Sequence, residues 1–227
     1  MAAGASGGAP KFLEELLEWR ELSYSWASQA LLATHDFCDP KAILPKWSCD
    51  TLLAHERDAR PDLKDLAAME GAATGDVYWD AMQGQLNAHG ELHNNLRMTW
   101  VRQFPKWCAT VREGMAVAQY LNDKYALDGC DPCSHAGVLW GFGLFETPKA
   151  KSDTPIYGRV AQRRTSGIAS RRQFNLQQYK HLPIAGNNGR FVPQQLIGAE
   201  GDGHDSGASD EDTMDDGAER QSERESD

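Results

Sequence analysis

Residues Trp79–Trp107 read WDAMQGQLNAHGELHNNLRMTWVRQFPKW, and the fold turns on how this stretch is cut into helices. Asp76–Asn87 carries apolar residues at helical spacing, and Gly90 is placed to end that helix because glycine enters the left-handed region freely. Glu91–Phe104 predicts a second helix, which Pro105 should kink or end because proline has no amide to donate. Trp100 and Trp107 lie seven residues apart, so they would share one face about 10 Å apart if the helix survived Pro105. Trp79, Trp100 and Trp107 are three of seven tryptophans in the chain. Core packing is the ordinary reading of such residues.

Working outward, Thr110-Val-Arg-Glu113 has the spacing of a capping box, opening a helix from Val111 to roughly Leu127 that stops near Gly129. Asp131-Pro132 places an N-cap acid before a proline at the first helical position and predicts a helix through Trp140. Upstream, Phe12, Leu13, Leu16, Leu17 and Trp19–Leu22 fit an amphipathic helix beginning after Pro10. Asp36–Asp62 holds three prolines with few periodic signals and reads mostly as loop. No alternating β-branched run of useful length occurs. The expected fold class is all-α, with little or no sheet.

Charge divides the 227 residues into blocks. Glu200–Asp227 holds twelve acids and two arginines, which accounts for the whole net charge of −10. Thr147–Ala199 holds nine Lys or Arg against the single acid Asp153, and the residues before it are acidic. The basic block suits phosphate backbones and the acidic tail does not. With almost no apolar residue to offset chain entropy, the tail reads as disordered. The expected organisation is a flexible N-terminus (1–10), a helical domain (11–175), a basic irregular extension (176–199) and the acidic tail (200–227).

Five scattered cysteines and no secretory leader fit a reducing intracellular compartment, and no apolar run reaches membrane-spanning length. Cys130-Asp-Pro-Cys133 has no second pair to complete a metal site and no thioredoxin-like context. His89 and His93, at i and i+4, would share a helix face but lack the HExxH order, so no metal is expected. No glycine-rich phosphate loop or GxSxG elbow is present.

Further strings follow the opening stretch: LNDKYALDG at Leu121–Gly129 and AGVLW at Ala136–Trp140. Together they resemble the FAD-binding domain of the DNA photolyase/cryptochrome family, with the pattern of class II cyclobutane-pyrimidine-dimer photolyases and related bacterial photolyase-like proteins. The shared pattern is W-x-A-x-Q, then G-x-x-H-N-x-x-R-M-x-W, a tryptophan seven further on, L-N-D-x-Y-x-L-D-G-x-D-P, and G-x-L-W. Weaker resemblance reaches WREL (Trp19–Leu22) and PIYG (Pro155–Gly158).

The resemblance implies FAD as cofactor and light-driven repair of UV-damaged DNA by electron transfer from reduced flavin. It places Arg97 beside the isoalloxazine ring, paired with a buried Asp128, Asn94 at the ring or its ribityl side, and Asn122 near flavin N5. An always-charged guanidinium favours negative charge on the ring, and an amide can donate or accept. Trp100, Trp79 and Trp107 would form the electron path, nearest, intermediate and distal. Glu21 would hydrogen-bond the pyrimidine dimer and Trp140 would stack on it.

After Trp140 the family presents an arginine for DNA, where this chain reads GFGLFETP. Arg159, Arg163, Arg164, Arg171 and Arg172 are the neighbouring candidates for phosphate. The family's N-terminal α/β domain and the helices holding the FAD phosphates are not found ahead of Glu21. The expectation is a truncated photolyase that alone binds FAD weakly, with a partner supplying the other half. The alternative is a cryptochrome-like or degenerate flavin or interaction module without repair. A basic nucleic-acid binder unrelated to photolyases rests on the charge of 147–199 alone.

Overall fold

A computed structural model describes residues 8–34 and 36–168. The acidic tail, the basic extension and the first seven residues lie outside the described residues, as do the boundaries expected at 175 and 199.

The described chain is all-α. Helix α1 (Gly8–Glu14) passes through a π-helical turn (Glu15–Trp19) into α2 (Arg20–Ala33). It begins before Pro10, not after it, which the first turn tolerates because amides there have no partner in any case. Its apolar stripe, Phe12, Leu13, Leu16 and Leu17, is exposed. The helix meets the body further on, where the small residues Ser23, Ala27 and Ala30 are buried and let α2 pack closely on the later helix of residues Pro132–Trp140.

Asp36–Asp62, expected to be mostly loop, contains two helices, α3 (Pro40–Ile43) and α4 (Lys46–Ala54). Asp39 caps α3 by accepting the Lys41 amide at 3.0 Å, with Pro40 at the first position. In α4 the buried Ser48, Cys49 and Leu52 face the core, so tertiary burial supplies what the sequence pattern lacked. A short α5 (Leu66–Glu70) precedes α6 (Val77–His89).

Asp76 caps α6 by accepting the amides of Tyr78 and Trp79, and Gly90 ends it at φ 71° as expected. A Cβ at Gly90 would lie 2.8 Å from Leu127 Cγ, so both conformation and space require glycine. The predicted Glu91–Phe104 helix is split. Glu91–His93 is non-helical, His93 caps α7 (Asn94–Val101), and α8 (Phe104–Trp107) follows with Pro105 in its first turn. The break falls at Arg102-Gln103, ahead of the proline, so Trp100 and Trp107 do not share one helix face. His89 and His93 likewise belong to different segments.

The Thr110 capping box forms: Thr110 Oγ1 accepts the Glu113 amide at 3.1 Å and Glu113 reaches back to the Ala109 amide at 2.8 Å. The helix it opens, α9 (Val111–Tyr125), stops two residues short of Leu127 because Leu127 donates its amide to Gly90. Asp131 caps α10 (Pro132–Trp140) as its sequence predicts. An irregular strap to a 3-10 turn (Thr165–Ile168) closes the described chain, with one isolated bridge between Thr154 and Gly158.

Two charged clusters hold this strap. Arg102, with 2% of its side chain exposed, pairs with Glu146 at 2.7 Å and donates to the Ala161 carbonyl. His55 Nδ1 lies 2.7 Å from Asp58, whose carboxylate also accepts the Ile156 amide. The bond to Asp58 raises the His55 pKa above 6.5. The Ile156 amide first, and His55 next, hold Asp58 below 3.8.

Arg102→Met should destabilise the fold by about 3–5 kcal/mol, since a buried carboxylate is left without its cation. Urea unfolding checks this, and Arg102→Met/Glu146→Leu should recover much of the loss. His55→Gln should cost most stability between roughly pH 4 and 6.5, where His55 is charged in both states and Asp58 ionised. The difference from wild type should shrink as pH rises through the raised His55 pKa, or falls through the lowered Asp58 pKa. Melting temperature against pH reads both limbs.

Candidate functional site

The C-terminal end of α6, the start of α7 and the α9–α10 turn meet at an open cleft of about 390 Å³ lined by Gly90, Glu91, Leu92, His93, Arg97, Leu127 and Asp128. Arg97 and Asp128 form a two-pronged pair, Nη1 to Oδ2 and Nη2 to Oδ1, both at 2.9 Å. That geometry fixes the guanidinium plane as well as its position. The sequence reading placed Asp128 as a buried carboxylate; instead 54% of its side chain is exposed, against 15% for Arg97. The turn that carries Asp128 stands at the cleft rim and leaves it to solvent. Asn94, the first residue of α7, is exposed next to the cleft wall.

Asn122 lies one layer deeper, fully buried. Its Nδ2 donates to Ser134 Oγ at 2.9 Å and to the Gly129 carbonyl at 3.2 Å. Because a carbonyl only accepts, the amide is oriented with Oδ1 pointing away from that carbonyl, and Oδ1 has no protein partner. Ser134 also accepts from Arg97 Nη1 at 3.2 Å, so one hydroxyl joins the cleft arginine to the buried amide. Ser134 carries no motif signal in the sequence; only the approach of α10 to α7 and α9 reveals it.

Behind Arg97 on α7, the three tryptophans are packed in contact. Trp79 stacks on Trp100 with centroids 6.0 Å apart and planes 7° apart. Trp107 meets Trp79 edge to face at 4.9 Å. All three are at most 1% exposed, and Phe104 fills the angle between Trp79 and Trp100. The order along the stack is Trp100, Trp79, Trp107. The Trp100 indole donates to Gln83 Oε1 at 2.8 Å, a partner the quoted Q of W-x-A-x-Q carried without a role.

Elsewhere, Trp140 packs against Trp19 with centroids 4.7 Å apart. Arg20 and Tyr24 both reach Asp131 at the head of α10, which ties α2 to α10. Tyr24 has its pKa raised chiefly by that bond. Glu21 is exposed on α2, two residues beyond Trp19. Of the basic residues, Arg159 and Arg164 are exposed, Arg163 donates to the Asn95 carbonyl, and Arg171 and Arg172 lie outside the described residues.

Comparison with known proteins decides the family. A deoxyribodipyrimidine photo-lyase of Methanothermobacter thermautotrophicus is 34% identical over 179 residues, covering 79% of this chain and 38% of the relative. Those of Oryza sativa subsp. japonica and Potorous tridactylus are 30% and 32% identical, over 74% and 59% of this chain and 32% and 25% of the relatives.

The chain belongs to the photolyase family.

It spans about a third of the length of the curated photolyases it matches. No protein-family model matches it. Among the described residues of this photolyase-family chain, Cys130 and Cys133 are unbridged and no group of three or more His, Cys, Asp or Glu is placed to hold a metal ion. No helix among them is long and apolar enough to cross a membrane.

Parallel stacking of Trp79 on Trp100 should couple their transitions. Near-ultraviolet circular dichroism should show a couplet that Trp79→Phe and Trp100→Phe each abolish and that Trp26→Phe leaves intact.

Proposed function

We propose that this chain is the flavin-facing segment of a class II-type DNA photolyase, with FAD's isoalloxazine ring seated at the Arg97–Asp128 cleft. The observation that carries the reading is the unbroken contact of Trp100, Trp79 and Trp107 behind the helix that presents Arg97. The residues suit the group. Arg97 Nε is buried without an acceptor while its other nitrogens are held by Asp128 and Ser134, so a ligand oxygen would complete its hydrogen bonding.

When bound, FAD supplies blue-light absorption and the electron that splits a cyclobutane pyrimidine dimer. The chain's own residues then have definable tasks. Arg97 favours negative charge at the ring, and Asp128 holds the guanidinium plane towards it. Asn94 at the cleft edge offers an amide to the ring or its ribityl side. Asn122, fully buried behind Ser134, would act on the ring through Ser134 and Arg97. Trp100 would pass electrons towards the cleft, refilled from Trp79 and then Trp107. Glu21 and Trp140, on the packed pair α2 and α10, are assigned to the damaged DNA. The FAD phosphates and adenine are assigned to polypeptide beyond this chain, in the same or a partner protein, as the greater length of the relatives supports, the match covering 32% of one of them.

One observation favours a second reading without repair. In GFGLFETP, where the family presents a DNA-binding arginine, Phe142 and Leu144 are buried and Glu146 is paired with Arg102. That segment is committed to the core, which fits a flavin module used for signalling.

Titration with FAD, read by blue-region absorption after ultrafiltration, tests the first reading. Weak binding lost on gel filtration is expected, and Arg97→Met should weaken it further by roughly tenfold, the loss of a charge-assisted contact. Failure of wild type to take up FAD at any concentration would overturn it. Illumination with dimer-containing DNA separates the readings: repair supports the lyase, and photoreduction without repair supports the signalling module.

A further inference from the structure

Each of the three stacked indoles donates its N–H to an oxygen, and the three oxygens differ in kind. Trp79 donates to the Trp100 carbonyl at 3.0 Å and Trp100 to the Gln83 amide oxygen at 2.8 Å, both neutral. Trp107 donates to Asp62 Oδ2 at 3.2 Å, an ionisable carboxylate. We propose that Asp62 makes Trp107 the resting place of the oxidising equivalent, by stabilising oxidised Trp107 and accepting its indole proton. The inference rests on the electron-path reading above.

The loop between α4 and α5 holds Asp62 in place. Lys64 pairs with Asp62 Oδ1 at 2.6 Å, leaving Oδ2 for the indole, and donates its own amide to the Trp107 carbonyl at 3.0 Å. Arg60 Nε binds the Pro105 carbonyl at 3.1 Å, fixing the same loop to α8. The Lys64 bond lowers the Asp62 pKa, so the carboxylate is charged at neutral pH.

Charge and access favour this end of the stack. Trp107 is 1% exposed, so solvent hardly reaches its ring, whereas 57% of the Asp62 side chain is exposed. The carboxylate is therefore both the proton's immediate acceptor and its exit to water. Lys106 opposes a cation here, its ammonium lying 5.0 Å from the Trp107 ring centroid. Burial lowers the Lys106 pKa. Loss of the indole proton removes the opposition, because a neutral radical is not repelled by an ammonium.

The step balances. Photoexcited oxidised flavin, the oxidant, takes one electron from Trp100, which is refilled from Trp79 and then Trp107, leaving Trp107 as a radical cation. Its N–H bond breaks heterolytically, the bonding pair stays on nitrogen, and the proton forms an O–H bond on Asp62 Oδ2. Return of the electron from the reduced flavin, with the proton coming back to nitrogen, reverses both steps.

Transient absorption of the FAD-saturated chain tests this, with Asp62→Asn keeping the acceptor oxygen while removing the charge. The tryptophan radical lifetime should shorten at least roughly tenfold, because a unit charge in contact outweighs the interaction that such a factor needs. The slowing of decay in D2O should vanish with it. Asp62→Glu should restore both, and Lys64→Met, which frees the carboxylate from its cation, should keep them. Circular dichroism establishes that each variant is folded. A wild-type lifetime and solvent isotope effect in Asp62→Asn would overturn the proposal while leaving the electron path standing. FAD-bound wild type that gives no tryptophan radical would overturn the electron path and this inference together.

Discussion

Trp79 packs one face on Trp100 and meets the edge of Trp107, and the arrangement of the described helices follows from satisfying both contacts at once. A straight helix through residues 94–107 would carry Trp100 and Trp107 along one face, two turns apart. Breaking it at Arg102-Gln103 turns α8 so that both rings close on the single indole from α6. The backbone cost is offset locally. Gln103 donates to the Thr99 and Arg163 carbonyls, and Arg102 turns inward to Glu146 and Ala161. The irregular strap after α10 therefore completes the break in α7–α8.

The same constraint sets the chemistry. Rings that are at most 1% exposed and packed in contact would change geometry little if an electron were removed, with bulk water kept from them. The polar groups that touch the stack are few, and each differs. A carbonyl and an amide oxygen receive the two inner indoles, while a partly exposed carboxylate receives the outer one. The opposite end opens to Arg97 and the cleft. The module thus has a charged, cleft-facing end and a charged, solvent-facing end, joined by an apolar aromatic interior.

Much of this was legible in the residues. The end of α6 at Gly90, the Thr110 capping box and the Asp131-Pro132 start of α10 were readable because each depends on a few adjacent groups. Arg97, Asp128 and Asn122 were singled out through the family resemblance, and the structure brings Arg97 and Asp128 into a two-pronged pair and Asn122 behind them. The helices of 40–54 were not legible, because their stability comes from burying Ser48, Cys49 and Leu52 against distant elements. Asp128 was misjudged as buried for a related reason: exposure belongs to the whole surface, and no local pattern encodes it.

What the sequence determined by itself was the helical class, the caps that start and stop most helices, and the set of residues that carries the family pattern. These follow from hydrogen bonds and steric limits acting over four or five residues. Tertiary structure alone decided that Trp79 sits between tryptophans 21 and 28 residues further on, that Ser134 joins Arg97 to Asn122, and that Asp62 meets Trp107. Those contacts join residues remote in the chain, and they exist because burying the aromatic surface of three helical segments leaves few ways for the segments to pack.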